Sequence, residues 1–491
     1  MQVSSETKAP SKRLKEQALS ASLLNVTARI SSFAINFIAT LVLARILAPG
    51  DFGLVGMVMP VISVFGILGN MGLTMAVLQR REIEPKQLSS LFYMNIGVSF
   101  VLALTLYFLA PVLSAFYDTP QVYPITQLFS LVILAAGAGA LQTTLLQRNL
   151  RFGSILIAEI LAEVGASAAA VVLALEGFGF MALAWRAVLQ PSIYTTVVWL
   201  SSGWLPGKAE WSPEVKSMFR FGGFSAGFNI LNTAGRQLDN VLIGWRYGHA
   251  ELGPYAVAYR LFFTPLRMVT APLGQVAIPT LSRMQDDPER FARWYLSILR
   301  LITLAVFPPL FAMVLFTDDL VQLVLGSKWE AAAPIIQWLL PVGAMQASYT
   351  TIGWIMIAIG RADRQFKWAT IAIPLYVAGF ALGLRWGAEG VAMSYAVTNS
   401  MLFIPGFIFG TYGTQIRLGQ IFSALTPGVL TACAAVVLLL GAMPLFGQME
   451  PLPKLAIAGT ATLIIMAIAT LLVFGRAAVL DNVQRVATIW K

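Results

Sequence analysis

The sequence predicts an all-α integral membrane protein of about 14 transmembrane helices, and three observations carry that prediction. Of its 491 residues, 57% are hydrophobic and 11% are charged, whereas soluble domains carry about 25% charged residues. The mean hydropathy is +0.75, and it is concentrated in stretches long enough to cross a hydrocarbon core, which takes about 20 apolar residues of helix. Lysines and arginines also alternate sharply in number from one connection to the next.

The first six stretches of sufficient length are 21–47, 52–78, 88–116, 122–146, 152–175 and 178–200. Six more lie at 218–245, 252–281, 294–316, 331–359, 368–384 and 391–409, and the last two at 421–440 and 455–474. The basic stretch at the N-terminus leads into a full-length apolar segment, so that segment is expected to stay as the first helix rather than be cleaved as a signal. With these spans, 22 basic residues fall in connections or at span ends on one side, and only Arg45, Arg246, Lys328, Arg385 and Lys454 on the other. Cytoplasmic connections are enriched in Lys and Arg, which places both termini in the cytoplasm. The same bias accounts for the net charge of +10, so no nucleic-acid partner is expected.

A single cysteine (Cys433) and a single histidine (His249) exclude a disulfide framework and a metal site built from His and Cys. No metal and no bound cofactor are expected. A nucleotide-binding loop of the form GxxxxGK[ST] is absent, and the glycines of AAGAG at 135–139 read as part of an apolar helix. Any transport is therefore driven by gradients, membrane potential or substrate flow.

The segment 203–217 holds Pro, Gly and mixed charge, and it separates six spans from eight. Asn25 and Arg29 open the first span, and Asn232 and Arg236 recur with the same spacing within the seventh. The connections that follow echo each other too, Asp51-Phe52-Gly53 against Glu251-Leu252-Gly253. The copies are offset by six spans, an even number, so the repeat is parallel, about an axis along the membrane normal.

Six further arginines fall within spans rather than at their very ends: Arg29, Arg186, Arg236, Arg260, Arg267 and Arg300. A charge near the bilayer centre costs about 2.5–3.5 kcal/mol on insertion scales, so such residues face the bundle interior, a partner or water. Glu159 and Glu163, one turn apart on the span next to that of Arg186, supply a counter-charge for it, or else carry protons. Arg300 sits near a cytoplasmic end and is expected to snorkel. Two readings stay open for Arg29, Arg236, Arg260 and Arg267: local neutralisation, or a shared site for a multiply anionic group, whose oxygens match the guanidinium fork. Asn25 and Asn232 lie one turn from Arg29 and Arg236, and Asp239 and Asn240 continue the second stripe.

Several motifs resemble Wzx-type bacterial polysaccharide flippases of the multidrug/oligosaccharidyl-lipid/polysaccharide exporter superfamily. These are LVLARILAPGDFGLV at 41–55, DNVLIG at 239–244, ELGPYAVAYR at 251–260, PTLSR at 279–283 and LGSKW at 325–329. The resemblance implies two pseudo-symmetric six-helix bundles in a V around a central cavity, plus two C-terminal helices. Its boundaries here would be a tail over 1–17, bundles over 18–202 and 218–414 joined by 203–217, extra helices within 415–476, and a tail over 477–491. It implies a non-enzymatic protein of the bacterial inner membrane that flips undecaprenyl-pyrophosphate-linked oligosaccharides by alternating access. The substrate headgroup would be held by Arg29, Arg236, Arg260, Arg267, Asn25 and Asn232. Asp239, Asn240 and Thr398, or Glu159 and Glu163, would couple sodium, protons or membrane potential. Implied partners are the lipid-linked oligosaccharide, membrane lipids, and polymerase and chain-length or export proteins of the pathway. A drug/cation antiporter is disfavoured because organic cations want carboxylates and aromatic faces. A membrane polymerase or ligase is disfavoured because the longest outside connection is only 317–330.

Overall fold

The computed structural model describes residues 31–70, 77, 83–210, 233, 235, 237–447 and 449–475, with backbone alone at 70, 264, 265, 267–269 and 362. Among these residues the chain is almost wholly helical and contains no strand. It divides into two compact units, Met1–Val241 and Leu242–Lys491. Of the segment 203–217, residues 203–210 are irregular, and the rest lies outside the described residues.

The first unit holds α1 (Ser31–Ile46), α2 (Pro49–Asn70), α3 (Pro85–Phe116), α4 (Val122–Arg148), α5 (Phe152–Leu175) and α6 (Phe180–Ser202). Its organising element is α4, which packs against α2, α3 and α6. The AAGAG stretch lies mid-helix and explains that central place. A Cβ on Gly137 would collide with Ser99 Oγ on α3, and one on Gly139 would sit 2.5 Å from Thr195 Oγ1 on α6. Backbones so close expose carbonyls to neighbouring donors, as interfaces of small residues in membranes allow. Asn95 Nδ2 donates to Gly137 O at 2.8 Å, Thr195 Oγ1 to Ala135 O at 2.7 Å, and Trp199 Nε1 to Ala138 O at 2.9 Å. On α5, Ala158, Ala162, Ala166 and Ala170 are all fully buried. Their four-residue spacing makes one flat stripe, and α5 packs closely on α6.

The last residues of the first unit begin α7 (Leu238–Ser282), which is broken at Gly248 (φ 79°). That φ is open to glycine at little cost, and the break falls in the expected connection between the seventh and eighth spans. The second unit continues through α8 (Pro288–Val314), the short α9 (Thr317–Val324), α10 (Ala332–Ala358), α11 (Ala362–Gly383) and α12 (Gly387–Thr411). Two more helices, α13 (Leu418–Phe446) and α14 (Pro451–Phe474), end the described chain. Here α8 is central, packed on α10, α13 and α14. The core includes Leu299, Ile302, Trp354, Ile355 and Phe407. Leu430 and Leu472 are 63% and 80% exposed, as apolar side chains facing lipid would be.

Eight described helical stretches are long and apolar enough to cross a membrane. The expected spans fall on described helices, apart from residues 21–30 of the first, 71–76 and 78 of the second and most of the seventh, which lie outside the described residues. Helix ends differ from the spans: α11 begins six residues before 368 and α8 six before 294. Hydrophobicity marks only the stretch lipid can cover, whereas a helix continues while its backbone bonds are satisfied. Pro60, Pro191, Pro341 and Pro405 lie within continuous helices. The region 317–330, expected only as a connection, contains α9, too short to span. Gln337 Nε2 donates to Thr317 Oγ1 at 2.8 Å, and Lys454 pairs with Asp319 at 2.7 Å, tying α9 to α10 and α14.

Candidate functional site

The two units repeat a local device that the sequence echo pointed to. In the first, Asp51 Oδ2 accepts from Ala48 N at 2.9 Å, and Asp51 Oδ1 lies 3.7 Å from a Cβ position on Gly179 (φ 56°), just before α6. In the second, Glu251 Oε2 accepts from Ala388 N at 3.0 Å in the first turn of α12. A Cβ on Gly387 (φ 72°) would meet that oxygen at 2.9 Å. A carboxylate at a helix N-terminus satisfies an orphan amide and favours the helix dipole. Tyr247 OH, which donates to Leu384 O at 2.5 Å, supports the second copy.

The polar interior of the first unit is built on α5. Glu159 and Glu163 are four residues apart and share one face. Arg186 on α6 meets that face, its Nη2 3.6 Å from Glu163 Oε2, with the side chains 11% and 13% exposed. Arg186 Nε also donates to Ser167 Oγ at 3.3 Å. On α1, Ser32 Oγ donates to Glu159 Oε2 at 3.3 Å, and Asn36 Nδ2 to Glu163 Oε2 at 3.5 Å. The pairing of Arg186 with a glutamate of the adjacent span forms as expected. Ser32 and Asn36 were missed, although their own four-residue spacing matches that of the two glutamates. The cluster joins α1, α5 and α6 by charge-assisted bonds, which are stronger than neutral ones.

The other expected residues are placed as follows. Asn25, Arg29, Asn232 and Arg236 lie outside the described residues. Arg260 is exposed on α7, and Arg267 lies on the same helix with only its backbone described. Asp239 is buried, and its Oδ1 accepts from Asn240 N at 2.8 Å. Asn240 Nδ2 donates to Gln237 Oε1 at 2.8 Å, and Gln237 Nε2 reaches Ser63 Oγ on α2 at 3.5 Å. Asn240 Oδ1 is buried without a hydrogen-bond partner. Asp239 and Asn240 belong to the first unit and Thr398 to the second. Thr398 Oγ1 stands 2.5 Å from a Cβ position on Gly379, so this hydroxyl also sets how closely α11 and α12 approach. Arg300 is half-buried, and its Nε finds no hydrogen-bond partner. Among the described residues no group of His, Cys, Asp and Glu could hold a metal ion.

The model of a family described as polysaccharide biosynthesis protein matches residues 42–334. The teichuronic acid biosynthesis protein TuaB of Bacillus subtilis is 27% identical over 386 residues, covering 76% of this chain and 78% of the relative. The lipopolysaccharide biosynthesis protein WzxC of Escherichia coli is 25% identical over 414 residues, covering 82% and 83%. Among solved structures, the lipid II flippase MurJ in an inward closed conformation has a TM-score of 0.71 at 14% identity, covering 92% of this chain and 99% of that one. That likeness is one of fold.

Proposed function

We propose, from the premise that this chain belongs to the polysaccharide biosynthesis protein family, that it flips lipid-linked oligosaccharide repeat units across a membrane. The observation that carries the reading is that one continuous family match, residues 42–334, covers helices of both units of a multi-span fold. The printed roles of its relatives, in teichuronic acid and lipopolysaccharide biosynthesis, support the polysaccharide pathway. The fold shared with a lipid II flippase supports movement of a lipid-linked headgroup.

The chain thus acts as a transporter rather than a catalyst. Its substrate is an undecaprenyl-pyrophosphate-linked oligosaccharide, moved from the cytoplasmic to the periplasmic leaflet of the inner membrane by alternating access. The lipid tail stays in the bilayer while the headgroup passes through the protein. Arg29, Arg236, Arg260 and Arg267, with Asn25 and Asn232, hold the pyrophosphate and its first sugar, because a guanidinium matches phosphate oxygens in charge and geometry. Sodium, protons or membrane potential drive the cycle, through Asp239, Asn240 and Thr398 or through Glu159 and Glu163. Both termini lie in the cytoplasm, and the polymerase and chain-length or export proteins of the pathway receive the flipped unit.

Deletion of the gene tests the reading. Lipid-linked single repeat units accumulate on the cytoplasmic leaflet, where an impermeant lectin or glycosidase reaches them only from inside. Accumulation on the periplasmic leaflet overturns the assignment and points to a polymerase or ligase instead.

A further inference from the structure

Within the second unit, four helices meet in one cluster: α7 and α12 each contribute a pair of residues four apart, and α10 and α11 one residue each. Tyr259 and Phe263 of α7 stack with ring centroids 4.4 Å apart, and Phe263 lies 6.2 Å from Tyr395 of α12. Tyr376 of α11 lies 5.4 Å from the same Tyr395 ring. Polar atoms converge beside these rings. Tyr395 OH donates to Gln346 Oε1 at 3.1 Å, and Asn399 Nδ2 is shared between Tyr376 OH at 3.1 Å and Gln346 Oε1 at 3.4 Å. Asn399 is 2% exposed, yet its Oδ1 has no hydrogen-bond partner.

We infer that Tyr259, Phe263, Gln346, Tyr376, Tyr395 and Asn399 form a subsite for a neutral sugar ring of the substrate, an inference that rests on the flippase reading. A buried amide oxygen left unpaired loses its hydration without return, and a sugar hydroxyl supplies the missing donor. The half-buried rings of Tyr259, Tyr376 and Tyr395 offer flat apolar faces for the C–H face of a pyranose, and the phenols and amides answer its hydroxyls. Sites for small polar ligands have this composition, aromatic walls with a few placed polar groups. The six side chains carry no formal charge, so the set favours a hydroxyl-rich neutral group over an ion or the pyrophosphate. The arginines would then hold the charged end of the substrate, and this cluster would read its glycan.

The test is equilibrium binding to the purified full-length chain in lipid nanodiscs, with two probes. One is undecaprenyl pyrophosphate; the other is the lipid-linked repeat unit extracted from cells lacking this chain. Asn399→Ala, Tyr376→Phe and Tyr395→Phe each weaken binding of the sugar-bearing lipid about tenfold, the loss of one good hydrogen bond. Binding of the sugarless lipid stays at the wild-type level. The two Tyr→Phe variants keep their rings, and unchanged thermal melting shows that they are folded. Equal losses for both probes, or no loss for the sugar-bearing one, overturn the subsite and leave the flippase reading standing. A wild-type chain that binds neither probe overturns that reading, and the subsite falls with it.

Discussion

Arg186 and Glu163 stand 3.6 Å apart in the interior of the first unit, each side chain little more than a tenth exposed. Removing one member of such a pair leaves the other as an uncompensated buried charge, which costs about 3–5 kcal/mol. Arg186→Ala should therefore lower the thermal stability of the purified protein markedly. Arg186→Met combined with Glu163→Leu should recover most of the loss, because both charges leave together. The pair was legible in the sequence because the two glutamates lie one turn apart on the neighbouring span, so two carboxylates faced one candidate cation. The Asn399 cluster was not legible, since Asn399 meets Gln346 and Tyr376 across 53 and 23 residues of chain. Arg236 and Arg260 make a separate prediction. Arg236→Ala or Arg260→Ala should abolish polysaccharide export, measured as surface glycan, while the protein remains in the membrane fraction. Normal export in both would remove the arginines from the substrate path.

Helix contacts in this chain depend on where a side chain is missing. Gly428 of α13 faces α8 so closely that a Cβ would lie 2.7 Å from the carbonyl carbon of Thr303. That neighbour is backbone and cannot swing aside, so overpacking there costs about 1–3 kcal/mol. Gly428→Ala should lower the melting temperature, whereas Gly441→Ala on the same helix, with nothing within 4 Å, should not. Composition marked the helices as lipid-soluble, but not which of the 40 glycines were contact points. The run at 135–139 read only as part of an apolar helix, and the structure made Gly137 and Gly139 contact points of α4. Element ends were less legible, because the hydropathy signal stops where lipid stops and the helical hydrogen bonds do not. The short α9 carries too few residues to register as a span, and partners on α10 and α14 hold it in place.

For the molecule as a whole, membrane topology makes the clearest prediction. With Cys433 replaced by Ser, a cysteine at Lys328 should react with an impermeant thiol reagent in intact cells. One at Leu150 should react only after permeabilisation. The reverse pattern would invert the orientation drawn from the 22 and 5 basic residues on the two sides. Hydrophobic stretches of span length and the bias of Lys and Arg are set residue by residue against the bilayer, so the sequence alone determined the membrane class, the span pattern and the expected orientation. The echo of Asp51 in Glu251 likewise marked a repeated carboxylate, whereas the positive-φ glycines it meets, Gly179 and Gly387, emerged only in the tertiary structure. The partners of Glu163, the closeness of α3, α4 and α6, and the meeting of Asn399 with Tyr376 and Gln346 were decided only by the tertiary structure. Inside a membrane nearly every helix is apolar, so hydrophobicity does not tell one neighbour from another. What selects among them is the fit of small residues and the pairing of the few polar groups, and both depend on contacts between residues distant in the chain.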